Sequence, residues 1–164
     1  MKNLKNRREK LIYLGAMLDG EGSIGIERLS PCKVKRKGKE EWQRKKYYYT
    51  CRVCVVNTFL PMLEFFKKEF GGSINYKNAS TNKQCYRWHI FGENLESLLY
   101  EVLPFLWEKK PHAKILLDYR KTVGKTGWNL TNEILEKRNQ LWLKCKNLNK
   151  NGVPLKSSPL SPST

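Results

Sequence analysis

The chain has 164 residues, which is enough for one domain with a hydrophobic core of its own. Its 32 lysines and arginines against 15 aspartates and glutamates give a net charge of +17, which destabilises a folded chain by self-repulsion unless a polyanion neutralises it. Nucleic acid is therefore the leading partner. No apolar run approaches the roughly 20 residues needed to cross a bilayer, which argues against a membrane protein.

The cysteines indicate a reducing compartment. Their number is odd: Cys32, Cys51, Cys54, Cys85 and Cys145. Cys51 and Cys54 lie three residues apart in a predicted strand and so point to opposite faces, which favours core thiols over a zinc or redox pair. The N-terminus lacks an apolar secretory core, so we expect an intracellular protein, in the bacterial cytoplasm or in an organelle that encodes it.

The first predicted element is a helix from Arg7 to Asp19. Leucines at positions 11, 14 and 18 form an apolar stripe, and Asn6 with Glu9 forms a capping box at the start. We expect Gly20 and Gly22 to end this helix.

A glycine inside this helix predicts a close neighbour. Gly15 costs about 1 kcal/mol relative to alanine, and such a residue persists where another backbone approaches. A second helix packed on the first would supply the reason. The acids Asp19 and Glu21 bracket the helix end, so at least one should project from that packed pair.

Two strands with a basic loop between them come next. The first strand directs Ile24 and Ile26 inward, while Ser23, Gly25 and Glu27 form its opposite, polar face. Residues 29–46 are predicted to be a mobile loop that reaches along phosphates, with basic residues that include Lys35, Arg36, Lys37, Arg44 and Lys46.

The second strand, about 43–56, directs Tyr47, Tyr49, Cys51, Val53 and Val55 inward, and Lys46, Tyr48, Thr50, Arg52 and Cys54 outward. Arg52 is placed to donate to a guanine edge or to a phosphate.

The remaining pattern completes an α+β fold. A helix over 59–70 precedes a second hairpin, which has a polar turn at 80–82 and outward residues Asn75, Lys77, Arg87 and His89. Three further helices follow, of which the last is capped by Thr131. The order αββαββα predicts a curved four-stranded antiparallel sheet with its helices on one face and extra C-terminal helices. We expect one domain over residues 1–149 and a disordered tail over 150–164.

The stretch LGAMLDGEG, from Leu14 to Gly22, resembles the LAGLIDADG motif of homing endonucleases. Leu14, Asp19 and Gly22 match that motif, and Glu21 stands where its second acid belongs. Gly15-Ala16 inverts the usual small pair, and Glu21 is one methylene longer than aspartate. The resemblance extends over most of residues 7–122, and the motif occurs once, as in single-motif members.

The resemblance implies a Mg²⁺-dependent DNA endonuclease. Glu21 would be the catalytic carboxylate and a metal ligand, together with the carbonyl of Gly20. Asn57 matches a residue that orients water, although it could equally be a turn or capping residue. Lys109 matches the catalytic lysine that follows the run Leu103-Pro104-Phe105-Leu106. The basic residue that relatives place after the position of Asn57 has no counterpart among residues 58–60.

The single motif also implies a twofold homodimer. Packing through Leu14, Gly15, Leu18 and Asp19 would bring two Glu21 carboxylates to the middle of a basic saddle. Such a dimer would cut both strands of a pseudo-palindromic double-stranded DNA target.

Two alternative functions compete with this one. The first is a non-catalytic nucleic-acid-binding protein on the same scaffold, an RNA-splicing maturase or a transcriptional regulator, and it keeps RNA open as a partner. Glu21, Asn57 and Lys109 together favour cleavage, because an acid that faces phosphate gives a binding-only protein no advantage. The second, a nuclease class built on Glu108-Lys109-Lys110, fails because it needs an upstream pair of acids.

Overall fold

A computed structural model describes residues 4–36, 39–44, 46–77, 84–124 and 131–151. The helices and strands in these ranges are, in chain order, α1 (Arg7–Glu21), β1 (Gly22–Leu29), β2 (Cys32–Arg36), β3 (Lys39–Arg44), β4 (Tyr48–Asn57), α2 (Leu60–Phe70), β5 (Ser73–Lys77), β6 (Cys85–Ile90), α3 (Glu93–Val102), α4 (Lys110–Arg120) and α5 (Asn132–Asn151). A turn of 3₁₀ helix, Leu103–Phe105, joins α3 to the segment before α4. In this part of the chain, none of the helices combines the length and apolar character that crossing a membrane requires.

The predicted four-stranded antiparallel sheet is confirmed. Its strand order is β1-β4-β6-β5, with Ile24 opposite Val53 and Val55 opposite Trp88. Because side chains alternate along a strand, these apolar residues share one face, and α1 and α2 pack on it. Trp88 is fully buried, and its indole N–H donates to the carbonyl of Gly71 at 2.8 Å. The core therefore lies between the sheet and the helices, which leaves the opposite sheet face for a partner.

The first helix ends later than the sequence predicts. The helix was expected to end at about Asp19, but α1 continues through Gly20 to Glu21. Gly22 ends it as predicted, and its backbone N–H donates to the carbonyl of Leu18. A Cβ on Gly22 would lie 2.6 Å from Leu18 Cα, so only glycine fits at the turn from α1 into β1. This turn sets Glu21 at the junction of helix and sheet.

The predicted loop over residues 29–46 is wrong. Its described part forms a two-stranded antiparallel ribbon of β2 and β3 instead. Lys33 lies 5.1 Å from the ring centroid of Trp42 and 3.7 Å from the carboxylate of Glu40, so cross-strand side-chain pairs stabilise the ribbon. The predicted strand over 43–56 is correspondingly divided, and Tyr47 is exposed rather than inward.

The C-terminal helix packs on α4 and on the edge strand β1. Tyr119 on α4 donates its hydroxyl to the carbonyl of Tyr49, and the Tyr49 hydroxyl donates to Asn139 on α5 at 2.9 Å. Thr131 caps α5 as predicted, since its hydroxyl accepts the N–H of Ile134 at 3.3 Å. α5 continues to Asn151, two residues beyond the predicted domain end, while the predicted tail from residue 152 and the turn at 80–82 lie outside the described residues.

Candidate active site and nucleic-acid interface

Glu21 and Asn57 meet where α1 ends and β4 ends. The side-chain amide of Asn57 donates a hydrogen bond to the exposed carboxylate of Glu21. The other end of the Asn57 side chain, its carbonyl oxygen, accepts the backbone N–H of Phe59 at 2.8 Å. Because that second bond uses the carbonyl, it fixes the NH₂ group toward Glu21. Asn57 therefore acts as a turn residue through its bond to Phe59, which is one of the two roles that the sequence leaves open, and it also holds the Glu21 carboxylate.

Lys109 lies against the same turn of α1. Its ammonium donates to the backbone carbonyl of Asp19 at 2.5 Å, where the negative end of the helix dipole favours a cation. The Asp19 carboxylate accepts the backbone N–H groups of Trp107 at 2.7 Å and of Lys109 at 2.9 Å. The three predicted catalytic residues Glu21, Asn57 and Lys109 thus converge on the last turn of α1.

The donor atoms at this turn fit a hard divalent cation. Glu21 offers an exposed carboxylate, and nothing lies within 4 Å of a Cβ built on Gly20, so the backbone there is open. Among the described residues, no group of three or more His, Cys, Asp or Glu side chains could hold a metal ion. A cation here would have few protein ligands, which suits Mg²⁺, since Mg²⁺ keeps several waters and binds substrate phosphates.

A polar face of β1 and β4 extends from the active site. The strand register sets Ser23 opposite Cys54, Gly25 opposite Arg52 and Glu27 opposite Thr50, all on the face away from α1 and α2. The side chains of Ser23, Lys46 and Tyr48 are exposed, while those of Glu27, Thr50 and Arg52 are half-buried.

The second hairpin adds fewer accessible groups to this face than predicted. Asn75 is exposed and Arg87 is half-buried, but only 8% of His89 is exposed, and its ring stacks on Phe91 with centroids 4.9 Å apart. Burial lowers the pKa of His89, and the charges of Arg87 and Arg52 lower it further. His89 lies opposite Cys54 on the predicted face, but it presents little surface to a ligand there. Four of the predicted DNA contacts, Lys35, Arg36, Arg44 and Lys77, lie on β2, β3 and β5, and Lys37 lies outside the described residues.

A groove between the sheet edge and α5 borders the polar face. Its volume is about 290 Å³, and its walls include β1, Arg52 and the α5 residues Trp142 and Lys146. The Trp142 ring lies 4.0 Å from the guanidinium of Arg28 and 5.0 Å from the ammonium of Lys146. The sequence does not show that α5 lies beside β1, so it does not reveal that Trp142 borders this groove.

The residues predicted for a dimer interface are not available to a second copy. Leu14 and Leu18 are fully buried within the protomer, and Asp19 is bonded to the segment before α4. A Cβ on Gly15 would lie 2.8 Å from the carbonyl oxygen of Phe105, so the chain's own 3₁₀ turn makes the close approach that the sequence assigned to another helix. Leu14, Gly15 and Leu18 therefore pack within the protomer, while Asp19 is half-buried.

A different stripe of α1 is free. Ile12, Ala16 and Gly20 follow each other at four-residue spacing and are exposed, with Ile12 at 48%. Trp107 is 88% exposed, and its backbone N–H donates to the carboxylate of Asp19. The four-residue spacing was present in the sequence, but the buried leucine stripe beside it is the stronger signal.

The arrangement of α1, two hairpins and an acid at the helix end defines the LAGLIDADG homing endonuclease fold. Neither a family model nor a curated protein matches the sequence. Solved structures do match. The homing endonuclease I-CvuI, in complex with its target in the presence of Ca, has 21% identity and a TM-score of 0.67 over 86% of this chain and 82% of its own.

Two further structures have the same fold. The archaeal intron-encoded homing endonuclease I-Vdi141I, complexed with DNA, has 16% identity and a TM-score of 0.65 over 90% of this chain and 89% of its own. The LAGLIDADG homing endonuclease I-LtrWI, bound to target DNA, has 20% identity and a TM-score of 0.52 over 96% of this chain and 53% of its own. The resemblance of the motif around Glu21 is thus matched by the whole fold.

Proposed function

We propose that this protein is a site-specific DNA endonuclease of the homing, intron-encoded type. As a homodimer it would hydrolyse both strands of a long pseudo-palindromic duplex with a divalent cation. The observation that carries this proposal is the meeting of Glu21, Asn57 and Lys109 at the last turn of α1, where the polar face of β1 begins.

Double-stranded DNA is the substrate that suits the charge and the exposed strands. The net charge of +17 favours a polyanion, and a sheet face that combines Lys46, Tyr48, Thr50 and Arg52 can donate to phosphates and to base edges. Of the structures of similar fold named above, I-Vdi141I and I-LtrWI are bound to DNA and I-CvuI is in complex with its target, which supports the same substrate here.

Each residue of the turn has a distinct task in phosphodiester hydrolysis. Glu21 and the Gly20 carbonyl would hold Mg²⁺, which when bound organises the attacking water and offsets charge on the phosphate. Asn57 keeps the Glu21 carboxylate in one orientation through its amide. Lys109 presents an ammonium group near the scissile phosphate, and this group stabilises the negative charge that develops there.

The exposed stripe of α1 supplies the dimer contact. Ala16 and Gly20 are small enough for two α1 helices to approach closely, and Ile12 adds apolar area beside them. Trp107 offers a large aromatic surface next to this stripe, and tryptophan is among the residues that contribute most at interfaces. A twofold axis through the stripe would assign one Glu21 to each DNA strand.

The test is a selection of cleaved duplexes from a library randomised across the whole footprint, with Mg²⁺ present. We expect a single set of related, pseudo-palindromic sequences, and no cleaved product with the Glu21→Gln variant. Tight duplex binding without any cleavage by the wild type would favour the non-catalytic reading. A protein that neither binds nor cuts duplex DNA would contradict the proposal.

A further inference from the structure

An acid forms an ion pair on the sheet face that the proposed function assigns to DNA. Glu27 on β1 and Arg52 on β4 lie diagonally across the strand pair, and Arg52 Nη2 is 2.7 Å from Glu27 Oε1. About a third of each side chain is exposed, 32% for Arg52 and 38% for Glu27. The pair is therefore held by the protein yet remains open to a ligand on that face.

Gly25 provides the space in which the pair forms. It lies directly opposite Arg52 in the register, and a Cβ built on it would meet only the Sγ of Cys145, at 3.9 Å. Since no side chain stands between them, the guanidinium can extend across β1 to the carboxylate two residues further along. A larger residue at position 25 would obstruct this path.

The pair is poorly suited to a phosphate contact. A carboxylate 2.7 Å from the guanidinium repels a phosphate and cancels much of the attraction that Arg52 would supply. An ion pair this exposed also adds little to stability, so stability alone does not explain an acid on this face. A ligand that presents a hydrogen-bond acceptor to Arg52 and, beside it, a donor to Glu27 would satisfy both side chains.

A G·C base pair presents that pattern in the major groove. Guanine offers the N7 and O6 acceptors, and the cytosine N4 amino group is a donor beside them. Guanine O6 and cytosine N4 are joined by the base pair's own hydrogen bond, so they lie about 2.9 Å apart. This spacing is close to the 2.7 Å between Arg52 Nη2 and Glu27 Oε1.

We propose, on the basis of the DNA-binding function argued above, that Arg52 and Glu27 together read one G·C pair in each half-site. Arg52 donates to guanine, while Glu27 holds the guanidinium in place and accepts from the cytosine amino group. Glu27 lies five steps along β1 from Gly22, about 17 Å at strand spacing. If β1 runs along the duplex axis, the G·C pair lies about five base pairs from the scissile phosphate, at about 3.4 Å per base pair.

The test measures binding rather than cleavage, so it does not depend on catalysis. Wild-type protein with Ca²⁺ selects duplexes from a fully randomised library, and the chosen site is then varied one base pair at a time. We expect one G·C position per half-site at which any other pair lowers affinity about tenfold to a hundredfold. In Arg52→Ala the preference for G·C at that position weakens, because guanine loses its donor, while the preferences elsewhere are kept. In Glu27→Gln the discrimination against A·T weakens at that position alone.

A second arginine–glutamate pair supplies the control. Arg7 and Glu101 form an ion pair of 2.8 Å between α1 and α3, and their side chains are exposed to a similar degree. Glu101→Gln should therefore leave every base preference unchanged.

The inference fails if Arg52→Ala lowers affinity equally for all base pairs and reduces the salt slope, because that is the signature of a phosphate contact. It also fails if no G·C position responds to either variant. Wild-type protein that binds with this preference but never cuts would contradict the proposed endonuclease activity alone. Protein that binds no duplex would contradict both.

Discussion

Glu21 is the residue that carries the proposed chemistry, and Glu21→Gln tests it with almost no change of shape. The amide keeps the side-chain size but loses the charge that a divalent cation needs. We predict that cleavage is abolished, while DNA affinity stays near the wild-type value or rises, since one acid near the phosphates has been neutralised. The measurement is cleavage of a selected site together with its dissociation constant.

The matched control for this variant is Glu64→Gln, which changes an exposed acid on α2 in the same way. It should cut at the wild-type rate. Unchanged cleavage by Glu21→Gln would remove this residue from the metal site.

Asp19 has a positioning role that can be measured as stability. Its carboxylate accepts two backbone N–H groups from the segment before α4, and an amide in its place can accept only one of them. Because the other N–H is left without its acceptor, Asp19→Asn should lower the free energy of unfolding by about 1–3 kcal/mol in urea. Asp118→Asn, which breaks only the exposed ion pair with Lys121, should cost under about 1 kcal/mol. Equal losses in the two variants would contradict the role of Asp19.

The sequence shows which residues lie at the last turn of α1, but it does not show what they contact. Glu21, Asn57 and Lys109 were found through the motif and its neighbours, because those residues keep a recognisable spacing. The bonds from Asp19 to Trp107 and Lys109 join positions 88 and 90 residues apart, so no local pattern could reveal them. The neighbour of Gly15 was missed for the same reason, since Phe105 is equally remote in the chain.

Among the elements, α1 determines how two copies would meet. Trp107 is 88% exposed beside its free stripe, and removing an interface tryptophan commonly costs about 2 kcal/mol or more of binding energy. Trp107→Ala should therefore raise the dimer dissociation constant at least about tenfold in sedimentation equilibrium.

Leu143→Ala is the control for the dimer variant, because Leu143 is also an exposed apolar residue and lies on α5. It should leave association unchanged. If Trp107→Ala associates as tightly as the wild type, the exposed stripe of α1 is not the interface.

The β2–β3 ribbon shows where sequence patterns mislead at the scale of elements. Lysines and arginines dominate residues 33–46, so the sequence predicts a mobile loop that reaches along phosphates. Cross-strand contacts of Lys33 with Trp42 and with Glu40 hold the two strands together. These contacts form only when the two segments lie side by side, so neither segment shows them in its own sequence. The four strands of the main sheet were predicted well because their apolar alternation is local, as in Val53 and Val55.

For the whole molecule, burial of titratable groups predicts a loss of stability in alkali. Burial raises the pKa of the Cys51 thiol from 9.0 to about 11. Between these values the unfolded chain has lost this proton and the folded chain keeps it. The contribution of this thiol to the free energy of unfolding should therefore be constant below about pH 8 and fall as the pH rises from 9 to 11. That fall amounts to roughly 2 kcal/mol.

Urea unfolding at a series of pH values measures this decline. In Cys51→Ala the slope above pH 9 should be smaller. Burial also raises the pKa of Tyr119, so part of the slope should remain in that variant. An identical slope in wild type and Cys51→Ala would contradict the assignment.

If a twofold dimer applies one Glu21 to each DNA strand, a dimer with a single intact Glu21 should cut one strand only. Wild-type and Glu21→Gln subunits with different affinity tags are co-expressed, and the mixed dimers are isolated and given a supercoiled plasmid that carries the selected site. We predict that wild-type dimers produce linear plasmid, that mixed dimers stop at the nicked circle, and that Glu21→Gln dimers leave the plasmid supercoiled. Linear plasmid from the mixed dimers at the wild-type rate would contradict the account.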